Sequence, residues 1–368
     1  MKRKIKVVVI AGTRPEAIKL APVVLELKKH VESIETILIN TRQHPVAADE
    51  VFEIFGIQAD ISLSVQEARQ SLAKLSSKLL AQLDEVLIGV KPDYVIVQGD
   101  TTSVLCGALA GFYLGAKIVH VEAGLRTSSL RLPFPEEMNC RVVSKIADIN
   151  CAPTQKAYDT LIAEGNAPES VILTTNTIVD ALEYVKELNK RRGKVPTGSG
   201  YLLVTMHRRE NWGEGIYLAC EAIKKICAAH PDLSVKFATH VNPEVQKAVR
   251  SELGEMTNVE LLPPVKYDDF IALIQGAKLI MSDSGGIVEE APSLGVHVLI
   301  TRSETERTEA IEAGCATLVG TDIDLILREA NKYLSPEYIQ TGVVNPFGDG
   351  QASLRIAATI IKRGVLES

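Results

Sequence analysis

The sequence predicts an α/β protein made of two doubly wound, Rossmann-like domains facing across a cleft. Three observations lead there. Short continuous apolar runs alternate with longer amphipathic stretches along the chain, the order that strand–helix–strand units with parallel sheets produce. Runs such as Tyr94-Val95-Ile96-Val97 show no polar alternation, as expected of strands covered by helices on both faces. At 368 residues, the chain also exceeds what one hydrophobic core commonly serves, so two domains is the natural division.

In the first half, strands are expected near 5–11, 35–40, 94–98, 117–121 and 149–152, with helices near 15–30, 69–89, 102–114, 138–147 and 154–164 between them. The stretch from Lys190 to Gly200 is charged and then rich in Pro and Gly, which reads as a linker or exposed loop. The pattern then restarts, with strands near 201–205, 234–238, 259–262, 279–282 and 297–300, and no obvious sequence repeat. A last amphipathic helix begins at Ala352. The expected domains are 1–172 joined by the C-terminal helix 352–368, and 173–351.

A net charge of −6 argues against nucleic acid or an anionic membrane as the main partner, while leaving room for a locally basic phosphate pocket. The six cysteines include no C-x-x-C pair and no Cys/His cluster at zinc spacing, so reduced core thiols are expected and no metal. Met1-Lys2-Arg3-Lys4 could imitate a signal peptide, but the apolar run Val7 to Ala11 is short and soon meets Arg14 and Glu16. Cys106 to Ala116 is too short to span a bilayer. A cytoplasmic protein is expected.

Doubly wound folds place ligands beyond the carboxyl ends of their strands, so the loops there carry the functional reading. In Gly12-Thr13-Arg14-Pro15-Glu16-Ala17-Ile18-Lys19, Gly12 suits a tight turn and Pro15 the first helical turn, and Arg14 and Lys19 add charge for an anion. It is not G-x-G-x-x-G, so NAD is not suggested; an ordinary strand-to-helix turn fits this segment alone equally well. Ser282-Asp283-Ser284-Gly285-Gly286 follows a strand and opens a segment bearing Glu289 and Glu290. Ser284 is expected to cap the helix, the glycines to let a diphosphate approach, and a carboxylate to accept ribose hydroxyls.

Acidic groups also stand at strand ends: Asp100 after one apolar strand, Glu122 after another, and Glu136-Glu137 just beyond. His207-Arg208-Arg209-Glu210 follows the first strand of the second half. A lone carboxylate there is usually an N-cap and a lone His usually structural, but several together are harder to explain that way. Inverting a sugar carbon would need such a set: acid/base groups on both faces of the ring, and a leaving group stabilised by Arg14 and the basic cluster at 207–209.

These segments resemble the non-hydrolysing UDP-N-acetylglucosamine 2-epimerase family over nearly the full length. The carriers are the 12–19 loop, Gln43-His44, Gly99-Asp100-Thr101-Thr102, His120-Val121-Glu122-Ala123-Gly124-Leu125-Arg126-Thr127 and Pro133-Phe134-Pro135-Glu136-Glu137-Met138-Asn139. His207-Arg208-Arg209-Glu210-Asn211, Asp283-Ser284-Gly285-Gly286 with Glu289-Glu290-Ala291-Pro292-Ser293-Leu294-Gly295, and Asn345-Pro346-Phe347-Gly348-Asp349-Gly350 complete the set. The resemblance implies a glycosyltransferase-B-like fold and interconversion of UDP-GlcNAc with UDP-ManNAc through 2-acetamidoglucal, without NAD or metal, by a homodimer. It assigns Asp100, Glu122, Glu136 and His207 to catalysis. It assigns Arg14, Lys19, Arg126, Arg208, Phe270, Ser284, Gly285, Gly286, Glu290 and Arg307 to the UDP-sugar, with Phe270 bordering the uracil.

Many members of that family use a second UDP-GlcNAc as activator, and the resemblance places Gln43, His44, Arg69 and His240 in that site. Val46 stands where a polar residue is usual, so weakened or absent activation is expected. Thr175 replaces a usual glycine, Thr308 a usual proline, and Arg131 a common aromatic. A glycosyltransferase of the same fold would need an acceptor groove, for which one tryptophan (Trp212) gives little. A hydrolysing epimerase, an epimerase for a related UDP-2-acetamido sugar and a non-catalytic UDP-sugar binder are also compatible with a UDP-sugar site of this kind.

Overall fold

The computed structural model describes residues 3–67, 70–194, 200–206, 208, 211, 213–239, 242–338 and 344–367. The chain forms two compact units, Met1–Tyr184 with Phe347–Ser368, and Val185–Pro346.

The first unit is built on β1 (Ile5–Ala11), α1 (Arg14–Lys28), β2 (Ile34–Asn40), α2 (Ala47–Ile54), β3 (Ile61–Ser62) and α3 (Leu72–Val90). It continues through β4 (Tyr94–Gln98), α4 (Thr102–Tyr113), β5 (Lys117–Val121), α5 (Glu136–Ile146), β6 (Ile149–Ala152), α6 (Gln155–Ala163) and β7 (Val171–Leu173) to α7 (Thr177–Arg191), which runs past the division at Tyr184 and Val185. Its seven strands run β3-β2-β1-β4-β5-β6-β7, every pair parallel. All five residues of β4 are buried, as the apolar run Tyr94-Val95-Ile96-Val97 requires of a central strand, with the polar Gln98 closing it. In α3, Ser71 caps the N-terminus by accepting from Lys74 N, and Leu75, Leu79, Leu83 and Leu87 form the buried stripe at four-residue spacing.

The second unit contains β8 (Tyr201–Thr205), α8 (Glu214–Ala229), β9 (Val235–Ala238), α9 (Pro243–Leu253), β10 (Val259–Leu262), α10 (Tyr267–Gly276) and β11 (Ala277–Ser282). Then come α11 (Gly285–Glu290), β12 (His297–Ile300), α12 (Thr308–Glu312), β13 (Ala316–Leu318) and α13 (Ile323–Leu334). The six strands run β10-β9-β8-β11-β12-β13, again all parallel. A last helix, α14 (Ala352–Glu367), returns to the first unit and packs on α1.

In both sheets the strand order reverses at one place, between β1 and β4 and between β8 and β11. That switch point leaves a crevice outside the strand ends, because the connections on either side lead to opposite faces. The expected strands are all present; β3, β7, β13, α2 and α7 are additional. The three extra strands are edge strands of two or three residues, too short to show a period. The sequence reading divides the chain at 172/173. In the structure the first unit extends to Tyr184, because α7 is tied back to the tail: Asp180 accepts from Ala352 N and Ser353 N at 3.2 and 2.8 Å.

Among the described residues, no helix is long and apolar enough to cross a membrane. All six cysteines are buried thiols.

Candidate active site

In the first unit, the loops after β1, β4 and β5 meet around the switch point. Gly12 follows β1 closely enough that a Cβ there would stand 1.8 Å from Thr41 Oγ1 and 2.7 Å from Ser103 Oγ. Its need for glycine is therefore steric, set by two side chains 2.7 Å apart, rather than a turn conformation. Glu16, on the first turn of α1, folds back to accept from Gly12 N and Thr13 Oγ1 at 2.7 and 2.9 Å. Burial raises its pKa, against the hydrogen bonds from Thr101, Thr13 and Gly12 that favour the charge. This carboxylate shapes the loop that presents Arg14, which is half-buried.

Glu122 sits just past β5, buried, with φ of 64°. A glutamate in the left-handed region is uncommon, and strain of this kind gathers at functional sites. Its carboxylate accepts from Lys19 Nζ at 2.6 and 2.7 Å and from Gln98 Nε2. Lys19, assigned to the nucleotide by the resemblance, thus has its ammonium paired with a candidate catalytic group. Asp100 lies on the turn after the neighbouring strand β4, half-buried. Its main-chain carbonyl accepts from Asn139 Nδ2 at 2.8 Å.

Asn139 belongs to α5, whose first residue is Glu136. The two adjacent glutamates there separate by environment. Glu137 is buried and accepts from Thr127 N at 3.0 Å and Arg141 Nε at 2.7 Å, so it is structural. Glu136 remains partly exposed. Arg126 donates from Nε and Nη2, one edge of its guanidinium, to the two oxygens of Glu164 at 2.9 Å each, and from Nη1 to Leu125 O. That bidentate pair anchors the loop after β5 to α6. Gln43 Oε1 accepts from Ser103 N and Oγ at 2.9 and 2.8 Å, which joins the loop after β2 to the start of α4. His44 N donates to Gly12 O at 2.9 Å.

Val46 has φ 71° and ψ −41°, with Ala47 N donating to Pro45 O at 2.9 Å: an exposed β-branched residue at the centre of a γ-turn. Thr175, another departure from the family pattern, has φ of 69°, the conformation that favours glycine.

In the second unit, the loops after β8 and β11 are joined through Asp283, which is fully buried. Its carboxylate accepts from Arg208 N at 3.0 Å and Asn211 Nδ2 at 2.9 Å, and its carbonyl from Arg208 Nε at 3.2 Å. Ser284 occupies the N-cap position of α11, but its side chain makes no capping bond; the expected cap is absent. Gly285 has Arg307 against it: a Cβ would stand 3.2 Å from the guanidinium carbon. Arg307 Nε donates to Glu289 at 3.0 Å, and its Nη1 lies 3.3 Å from Glu306. Burial works against charge on Glu306, yet Arg302 and Arg307 hold its carboxyl down to about 2. The result is a cationic group kept beside a small helix terminus.

Glu290, buried one turn into α11, accepts from Tyr267 OH at 2.8 Å. Phe270 lies three residues further along α10, half-buried. His207, Arg69 and His240 lie outside the described residues. Tyr267 and Gln98 escaped the sequence reading. Gln98 left a signal, a polar residue closing an apolar strand, whereas nothing local marked Tyr267.

Two parallel sheets, each with charged side chains gathered at its switch point, define a glycosyltransferase-B-like α/β protein. A MurG structure from Acinetobacter baumannii shares this fold at a TM-score of 0.56 and 13% identity, covering 98% of this chain and 100% of that one.

A family model described as UDP-N-acetylglucosamine 2-epimerase matches residues 4–361. The chain is 40% identical to UDP-N-acetylglucosamine 2-epimerase of Campylobacter jejuni, covering 97% of each. It is 41% identical to that of Bacillus subtilis, covering 98% of this chain and 96% of the relative. The structure of UDP-GlcNAc 2-epimerase from Neisseria meningitidis bound to UDP-GlcNAc superposes with a TM-score of 0.89 at 39% identity, covering 97% of this chain and 100% of that one. The chain belongs to the UDP-N-acetylglucosamine 2-epimerase family.

Proposed function

We propose that this chain interconverts UDP-GlcNAc and UDP-ManNAc without hydrolysis. A base removes the proton from C2 as the C1–O bond to UDP breaks, which leaves 2-acetamidoglucal and free UDP. A phosphate oxygen of UDP then re-forms the bond to C1, while an acid returns a proton to C2 on the opposite face. Hydrogen leaves and returns as a proton, so the scheme is redox-neutral and calls for no nicotinamide.

The observation that carries this reading is the grouping of Asp100 and Glu122 at the ends of adjacent parallel strands, with Glu136 on a helix bonded to the Asp100 main chain. Asp100, Glu122 and Glu136 are the proposed acid/base groups, aided by His207. The UDP-sugar is assigned to Arg14, Lys19, Arg126, Arg208, Phe270, Ser284, Gly285, Gly286, Glu290 and Arg307. Lys19 also pairs with Glu122. Two structures of relatives support the substrate: the Neisseria meningitidis enzyme holds UDP-GlcNAc, and the Methanocaldococcus jannaschii enzyme, 32% identical with a TM-score of 0.83 over 97% of this chain and 100% of that one, holds UDP-GlcNAc and UDP.

The test is incubation with UDP-GlcNAc in D2O, followed by NMR. Deuterium at C2 together with UDP-ManNAc is the expected result. Free ManNAc means hydrolysis, and absence of exchange means a transferase or a binder. Asp100→Asn and Glu136→Gln should each abolish exchange while UDP still binds.

The protein is further proposed to act in the cytoplasm as a homodimer. The exposed Phe112, Tyr113 and Leu114 at the end of α4 support an association surface. With Val46 in place of a polar residue, activation by a second UDP-GlcNAc through Gln43, His44, Arg69 and His240 is proposed to be weak. Hyperbolic kinetics with UDP-ManNAc alone are expected; a strict requirement for added UDP-GlcNAc overturns that reading.

A further inference from the structure

Building on the epimerase reading, we propose that His120 and Asn139 are positioning residues that together fix the backbone of Asp100 and so aim its carboxylate.

Each peptide unit is flat, so a residue's backbone has only the two rotations about its Cα. The plane before the Asp100 Cα carries the Gly99 carbonyl, and the plane after it carries the Asp100 carbonyl. His120 Nε2 is 2.7 Å from Gly99 O, and Asn139 Nδ2 is 2.8 Å from Asp100 O. Gly99 N in turn donates to Val121 O at 3.0 Å. With both flanking planes held, φ and ψ of Asp100 are both set, and so is the direction in which its side chain leaves the chain.

The two donors are themselves held firmly. His120 lies in β5 with no exposure, and Asn139 is 1% exposed. The second imidazole nitrogen, Nδ1, is 3.3 Å from Ser144 Oγ on α5. Ser144 O accepts from Asn150 Nδ2 of β6 at 3.1 Å. A carbonyl can only accept, so Nε2 carries the proton, and Nδ1 is left to accept from the serine hydroxyl. Burial pushes the pKa of the imidazole down to about 4, in keeping with the neutral ring that these two contacts call for.

A buried histidine is commonly a satisfied core residue. What distinguishes this one is its partner, the carbonyl immediately before a candidate catalytic carboxylate. Asn139 adds a second link, because it stands one turn after Glu136 on the same helix. One hydrogen bond thereby connects the main chain of one candidate carboxylate to the helical turn that carries another.

The experiment compares the parent with His120→Leu, His120→Gln and Asn139→Leu, measuring kcat, KM and C2 exchange, with calorimetric UDP binding as the control for folding. Misplacing a reacting group by about 1 Å costs on the order of 100-fold in rate. Each leucine variant should therefore lose about 100-fold in kcat, with KM and UDP affinity changed by less than about threefold. His120→Gln, whose amide can still donate, should recover at least about tenfold of that loss.

In the parent, imidazole nitrogen spectra should show a protonated Nε2 and a bare Nδ1. The proposal is overturned if a leucine variant that binds UDP normally keeps kcat within about threefold of the parent, or if the spectra show the proton on Nδ1. Should one variant not fold, the other decides; should neither fold, the spectra decide. A parent that shows no C2 exchange sinks the epimerase reading and this inference with it, and its own inactivity identifies that case.

Discussion

Lys19 Nζ lies 2.6 and 2.7 Å from the two oxygens of Glu122, and both side chains are almost closed to water. Removing one partner of such a pair leaves a buried charge uncompensated, which costs about 3–5 kcal/mol. Lys19→Met should lose stability on that scale in urea unfolding. Lys19→Met with Glu122→Gln should regain more than half of it, since the remaining amide is neutral. A loss below about 1 kcal/mol for the single variant would show that the pair is solvated after all.

Gly12→Ala places a methyl 1.8 Å from Thr41 Oγ1, a separation no packed atoms sustain. Overpacking of this kind costs about 1–3 kcal/mol, and the shift falls on the loop that presents Arg14. Unfolding midpoints should drop accordingly. Gly12→Ala with Thr41→Ala should recover part of the loss, because the side chain in the way has been shortened.

Thr175 has a positive φ, and its side chain leaves no room for a Cβ at Gly348, which would come within 2.9 Å. A β-branched residue in that conformation carries strain of about 1–3 kcal/mol. Thr175→Gly gives up one hydrogen bond, from Arg355 Nη1 at 3.1 Å, as well as unfolded-state rigidity. The net expectation is a gain of about 0.5–1 kcal/mol. Urea melts with an unchanged m value test this, and a lower midpoint would show that the Arg355 contact outweighs the strain.

Acid should destabilise the protein through two histidines. Burial holds His120 and His297 down to about 4, while an unfolded histidine protonates near 6.5. Between those values the unfolded chain binds more protons, so stability falls as pH falls through 6.5 toward 4. Each histidine contributes a slope of up to about 1.4 kcal/mol per pH unit. His297 stacks on Tyr333 with ring centroids 3.6 Å apart, so His297→Phe keeps a ring there and removes one titrating group. Its unfolding free energy should vary less steeply with pH than the parent's between about pH 6.5 and 5.5. An unchanged slope would mean that His297 takes up its proton as readily when folded.

Much of the architecture was legible because buried parallel strands are continuously apolar, and that leaves a mark at Tyr94-Val95-Ile96-Val97 as clearly as at Leu279-Ile280-Met281. Strands of two or three residues at the sheet edges leave none. The charged residues at the strand ends were equally visible, but their partners were not. Lys19 reads as a phosphate ligand until its distance to Glu122 is known. Glu136 and Glu137 are identical in sequence and separate only by burial, and Ser284 holds a cap position without capping. The link from Asn139 to Asp100 O joins a side chain to a main-chain carbonyl 39 positions away, and residue types do not encode carbonyl directions. His120 offered one clue, a titratable residue inside an apolar strand.

The buried thiols have a practical consequence for chemical labelling. Desolvation pushes Cys106 up to about 11 and Cys140, Cys151 and Cys220 up to about 12, and raises Cys227 and Cys315 as well. Alkylating reagents attack the thiolate, so these six are slow targets while the chain is folded. A single cysteine introduced on an exposed helix face would then be the fast-reacting site, and fluorophores or spin labels could be attached without first stripping the native cysteines from the core.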